Sequence, residues 1–206
     1  MKHVFIAIAL VILTGCSAMQ PTKTGFIDNY QQLQKVDDRQ FRFVAPASQW
    51  PEFSCIRVMP ITLSITEAQS QVREDWLDER EKMQQLMSNS LAPFANTEST
   101  SPVELRLTVS DIDTSSPTLN VITMLAFFAP LDNGGITIEA ELINTTNDQQ
   151  LASWIWYEDR SMLDLFASFS TYGHAELSTQ DFAEQVKQIL SQHQKPLFVK
   201  AEKDEM

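Results

Sequence analysis

The spacing of apolar and polar residues changes several times along the chain, and each change predicts an element. Val4 to Leu13 is an unbroken apolar run. Ser54 to Met59 sets Ile56 and Val58 on one side and Cys55 and Met59 on the other, which predicts a buried strand closed by Pro60. Thr66-Glu67-Ala68-Gln69 is a capping-box pattern, and behind it Ala68, Val72, Trp76, Met83, Leu86, Met87 and Leu91 recur at helical spacing until Pro93. Val103, Leu105, Leu107 and Val109 alternate with Glu104, Arg106 and Thr108, the period of a half-buried strand, and Ile136, Ile138, Ala140 and Leu142 do the same with Thr137, Glu139 and Glu141. Asn144 to Asp148 supplies a turn, and Leu151 to Glu158 returns as the second arm of a hairpin. Ser178-Thr179-Gln180-Asp181 caps a last helix whose stripe is Phe182, Val186, Ile189 and Leu190, ending near Pro196. The order β-α-β-β-β-α predicts an α+β fold, with a mixed, roughly four-stranded sheet and both helices packed on one face.

The apolar run at the start is too short to stay in a membrane. As a helix, ten residues rise about 15 Å, half of the hydrocarbon core. Lys2 before the run and Leu13-Thr14-Gly15-Cys16 after it make a signal peptide over residues 1–15. Those last four residues resemble a bacterial lipobox, which implies diacylglycerol on the Cys16 thiol, cleavage ahead of it, and a fatty acid such as palmitate on the new N-terminus. Ser17 stands where Gram-negative lipoproteins kept at the inner membrane commonly have Asp, so the resemblance implies the periplasmic face of the outer membrane. A stable anchor takes two acyl chains, and a lipidated Cys supplies at least that. Residues 16–24 then read as a lipidated tether whose last eight residues reach roughly 25 to 29 Å when extended. Residues 25–52 carry Phe26, Ile27, Tyr30, Leu33, Phe41, Phe43 and Trp50, too apolar for a free linker, and predict an extended arm packed on the domain. The α+β domain follows over 53–195, with a charged tail over 196–206.

Charge and inventory narrow the chemistry. Fifteen Lys and Arg against 27 Asp and Glu leave a net charge of −12, which repels nucleic acid. With five Gly, two Cys and three His, the chain lacks the means for a phosphate loop or a multi-ligand zinc site, so no metal and no cofactor are expected. Once Cys16 is acylated, Cys55 is the only thiol. A Cys55–His174 nucleophile pair and a metal set of Cys55, His174 and His193 are the sparse alternatives, without recognisable ligand spacing. Asp111-Ile112-Asp113 begins like a calcium loop, but Ser116 and Ile122 stand where Gly and Glu belong, so a strand end is the better reading. Glu139 and Glu141 share one strand face about 7 Å apart, a separation that an inverting glycosidase uses and that a solvated sheet face explains equally.

Several segments together resemble a family of Gram-negative lipoproteins of unknown function (DUF 3313 type). Gly25-Phe26-Ile27-Asp28-Asn29-Tyr30-Gln31-Gln32-Leu33 resembles its opening G-F-L-x-D-Y-x-x-L, with Asn29 at the usual Asp. Phe43-Val44-Ala45-Pro46, Val58-Met59-Pro60-Ile61, Ser115 to Val121, and Glu139 to Asn144 resemble later segments. After Val121 the family commonly carries a longer Gly-rich insertion than Ile122 to Gly135 provides. The resemblance implies fold and location and transfers no catalytic residue.

Leu119 to Leu131 runs almost without polar interruption and reads either as core or as an apolar loop offered to a partner. Val121, Leu125, Phe127 and Phe128, with Trp154 and Trp156 on the hairpin, are therefore the candidate partner contacts. Taken together the sequence predicts a membrane-anchored periplasmic lipoprotein acting as a non-catalytic binding or assembly subunit with an envelope protein partner. The alternatives are a hydrolase of peptidoglycan or sugar using Glu139 and Glu141, and a carrier of lipid or a small molecule.

Overall fold

A computed structural model of the protein describes residues 23–37, 39–64, 73–94, 102–113, 135–159 and 170–194. The described elements run β1 (Gln34–Lys35), β2 (Gln40–Val44), β3 (Arg57–Val58), β4 (Thr62–Leu63), α1 (Arg73–Ser90), β5 (Val103–Asp113), β6 (Gly135–Asn144), β7 (Gln149–Asp159) and α2 (Gly173–His193). The strands form one mixed sheet in the order β1-β2-β7-β6-β5-β3, with β4 also on β5. Both β3 and β4 are parallel to β5, and the other pairs are antiparallel. A helix between β4 and β5 supplies the crossover that a parallel pair requires.

The expectation of an α+β fold with two helices holds, and the expectation of four strands does not. Seven described strands replace four, because the arm is part of the sheet: β2 adds to the edge of β7 with Phe41 opposite Ile155 and Phe43 opposite Ser153, and β1 folds back on β2. The short alternation of Phe41 and Phe43 with Gln40 and Arg42 carried that signal. A second difference lies at α2, which starts at Gly173 rather than after Ser178. Ser178 and Thr179 are buried inside the helix, and the Thr179 hydroxyl donates to the carbonyl of Ala175 at 2.8 Å, the bond to the preceding turn that lets Thr sit in a helix interior. The capping residue Thr66 lies outside the described residues.

Strand pairing sorts the side chains into two layers. Leu105, Leu107 and Val109 lie opposite Leu142, Ala140 and Ile138, which in turn lie opposite Ala152, Trp154 and Trp156. This side meets the helices in one apolar core with Trp76, Met83 and Met87 of α1, Leu91 just past its end, and Phe182, Val186, Ile189 and Leu190 of α2. The Phe182 ring meets Trp154 and Trp156 edge-on at centroid distances of 5.9 and 6.0 Å. Trp154 and Trp156 are thus core residues, which corrects their assignment as partner contacts: the helix layer takes that face of β7. The β6–β7 turn sits where expected, with the Asn144 carboxamide oxygen accepting from the N–H of Thr146 and Asp148 in the left-handed region that Asp tolerates.

Candidate functional site

The opposite side of the sheet holds the unusual chemistry. Thr108, Glu139 and Ile155 lie side by side across β5, β6 and β7, as do Arg106, Glu141 and Ser153. By alternation these polar positions read as a solvated face, yet Glu139 is 0% exposed and Glu141 3%. The cover is the start of the arm. Glu139 accepts from the backbone N–H of Thr24 at 2.8 Å and from the hydroxyl of Tyr30. Glu141 accepts from the N–H of Asp28 at 2.8 Å and from the side-chain amide of Gln150. Carboxylates removed from water in this way are tolerable only when such donors replace their hydration.

Local sequence explains why the arm reaches them. Gly25 has φ +87°, a conformation that other residues resist, and nothing stands within 4 Å of where a Cβ would sit, so the backbone rather than crowding requires glycine. The turn this allows closes on Tyr30, whose hydroxyl accepts from the N–H groups of Gly25 at 2.9 Å and Ile27 at 3.3 Å while donating to Glu139. Ile27 is buried beneath the turn. Asn29 caps the 3-10 turn at Tyr30–Gln32 by accepting from the N–H of Gln31, a role that Asp fills equally well, so the departure from the family pattern at Asn29 is a replacement of like by like. The Lys23 ammonium lies 5.5 Å from the centre of the Tyr30 ring.

Burial pushes the Tyr30 hydroxyl above its ordinary pKa, and the bond to Glu139 adds to the rise. Burial likewise raises the Glu141 carboxyl, opposed by the Asp28 N–H. Arg106 also favours the Glu141 charge and continues a polar row, pairing with Glu104 at 2.9 Å, which pairs with Arg57 at 2.9 Å. This arrangement binds the chain's own arm. Each carboxylate is bonded to the arm or to Gln150 and shielded from solvent, so the two face the arm rather than open water.

Other candidate residues fall elsewhere. Cys16, Val121, Leu125, Phe127 and Phe128, and with them the whole of Leu119 to Leu131, lie outside the described residues. Cys55 is half-exposed just before β3, and His174 is buried in the first turn of α2. His193 ends α2 stacked on Trp50 at 4.0 Å. Among the described residues no group of three His, Cys, Asp or Glu could hold a metal ion, and no helix is long and apolar enough to cross a membrane. Asp111 to Asp113 end β5 as a strand. A cleft of about 410 Å³ opens between the β1–β2 turn, β7 and α2, lined by Asp37, Arg39, Trp156, Tyr157, Asp181 and Glu184, on the far side of β7 from the two carboxylates of β6.

The Gly25–Tyr30 turn and the middle of β6 at Glu139 and Glu141 are therefore joined as one unit. Residues 22–186 match the family model described as protein of unknown function, DUF3313. The chain belongs to that family. No curated protein matches it. Among solved structures it is similar to the PelC dodecamer subunit of Paraburkholderia phytofirmans, at 9% identity over 76% of this chain and 98% of that one with a TM-score of 0.44. It is similar also to protein XCC0632 of Xanthomonas campestris, at 12% identity over 70% and 88% with a TM-score of 0.36, and to lipoprotein GNA1162 of Neisseria meningitidis, at 13% over 67% and 99% with a TM-score of 0.26. Likenesses at this level carry no argument about what this DUF3313 chain does.

Proposed function

We propose that this DUF3313 protein is a lipoprotein of the bacterial envelope, held by acyl chains on Cys16 at the periplasmic face of the outer membrane, and that it works by binding or assembly rather than by chemistry. The observation that carries the reading is Leu13-Thr14-Gly15-Cys16 directly behind the ten-residue apolar run. Support comes from the arm: Thr24, eight residues after Cys16, is fastened to Glu139, within the span of a lipid-linked chain. The commitment of Glu139 and Glu141 to the arm favours a non-catalytic role over hydrolysis. Globomycin should accumulate the uncut precursor, and Cys16→Ala should move the protein from sedimented membranes to the soluble fraction; unchanged sedimentation of that variant would defeat the anchoring. The apolar run through Val121, Leu125, Phe127 and Phe128 supplies the contact chemistry for an envelope protein partner. Replacing Phe127 and Phe128 together by Ser should abolish a crosslink seen in intact envelopes while thermal unfolding is unchanged, and a persisting crosslink would remove those two side chains from the contact.

A further inference from the structure

The arm does more than cover two carboxylates: it sets how far along the chain from Cys16 the first residue fastened to Glu139 lies. From the Cα of Cys16 to that of Thr24 there are eight steps, a reach of about 29 Å at most, and from Cys16 to Gln34, where β1 begins, eighteen steps, about 65 Å. The ten residues between are the ones fastened by Thr24 and Tyr30 on Glu139, by Asp28 on Glu141, and by the burial of Ile27. We propose that the docked arm is a height-setting strap: while it is fastened, the sheet side bearing Glu139 and Glu141 is drawn toward the bilayer and the α1–α2 layer faces away, and its release more than doubles the reach of the domain without breaking the anchor. The fastening suits this use. It consists of a few directional bonds to one strand, made by a segment lying outside the main apolar core, so it can open while the helix side of the sheet stays packed.

The inference rests on the lipid anchor at Cys16, and the test separates the two. Lipidated full-length protein on a supported bilayer is compared by neutron reflectometry with an Ile27→Asp variant, which places a charge at a buried arm position and leaves every residue of β5, β6 and β7 intact. With the limit of reach raised from about 29 Å to about 65 Å, the variant's protein layer should stand farther from the bilayer and be broader. Hydrogen exchange at the amides of Thr24 and Asp28 should become fast in the variant alone. Equal standoff with those amides exchanging fast would overturn the strap. Slow exchange in the variant would show that Ile27 does not hold the arm, and Glu139→Leu with Glu141→Leu then removes the polar fastening directly; equal standoff there overturns the proposal as well. Protein that fails to bind the bilayer would overturn the anchoring and the strap with it.

Discussion

The two sides of β6 are equally shut off from water by opposite means. On the helix side Ile136, Ile138, Ala140 and Leu142 are buried by many unspecific apolar contacts with β5, β7 and the helices. On the arm side Glu139 and Glu141 are buried by a handful of directional bonds from an eleven-residue stretch, Lys23 to Leu33. Apolar burial is collective, so loss at one point is felt throughout, whereas buried carboxylates depend on particular donors and fail locally. Phe182→Ala tests the first half of that contrast. The ring is fully buried against Trp154 and Trp156, so its removal leaves a cavity in the shared core, and a loss of about 3–5 kcal/mol in denaturant unfolding is expected, with the arm and the core unfolding in a single transition. A loss below about 1 kcal/mol would mean that the core relaxes around the gap and is not close-packed there.

The arm side should break differently. Glu139→Ala removes the acceptor of both the Thr24 N–H and the Tyr30 hydroxyl, at an expected cost of about 1–3 kcal/mol. The distinguishing readout is exchange at the amides of Thr24, Gly25 and Ile27, which should become fast while amides in β5 and β7 keep their protection. Protection lost evenly over the whole sheet would show that the two sides are one cooperative unit. Tyr30→Phe is the milder form of the same experiment. It deletes one donor and the acceptor of the Gly25 and Ile27 N–H groups, so a loss of about 1 kcal/mol is expected, with the turn at Gly25 loosened before the bond from Asp28 to Glu141 is touched.

The helix side was legible in the sequence because apolar residues at period two have one physical reading: Val103 to Val109 and Ile136 to Leu142 are strands, with those residues inward. The arm side was not, because Glu at period two reads as a solvated face unless its donors are known, and the donors of Glu139 and Glu141 stand 115 and 113 residues away. Those two donors, from Thr24 and Asp28, are backbone N–H groups, which carry no side-chain signature; the Tyr30 hydroxyl and the Gln150 amide complete the set. Two traces were present: the arm was too apolar to be free, and Gly25 to Leu33 and Glu139 to Asn144 belonged to the same family pattern. Nothing in either segment shows on its own that they touch. The hairpin tryptophans were ambiguous for a related reason, since Trp154 and Trp156 share a face and only the position of Phe182 decides which layer that face meets.

One carboxylate on the helix side sharpens the contrast further. Glu79 of α1 is buried like Glu139 and Glu141, but among the described residues one of its oxygens is bonded, to the Lys82 ammonium at 3.1 Å, and the other has no hydrogen-bond partner. Burial accordingly raises its pKa above the usual Glu range, and nearby Glu176 adds to the rise against the pull of Lys82. A carboxyl whose folded pKa is raised binds its proton more tightly in the native state, so its contribution to stability is fully present below the ordinary Glu pKa and is lost as pH climbs from there through the folded value; above it the ionised group costs stability. Glu79→Gln keeps the shape and removes the charge. Lys82 is largely exposed and retains Glu176 at 3.5 Å, so it loses little. The variant should therefore unfold at neutral pH with unchanged or slightly higher stability, a gain on the order of 0.5 kcal/mol, and should show a shallower decline between mildly acidic and neutral pH than the parent. Glu141→Gln shares the sign of the pH effect but disturbs an oxygen that holds the Asp28 N–H, so any gain there is set against a loosened arm. Should Glu79→Gln instead lose more than Glu139→Ala, the Lys82 pair would be a stronger fastening than the arm, and the division between a collective helix side and a bonded arm side would fail.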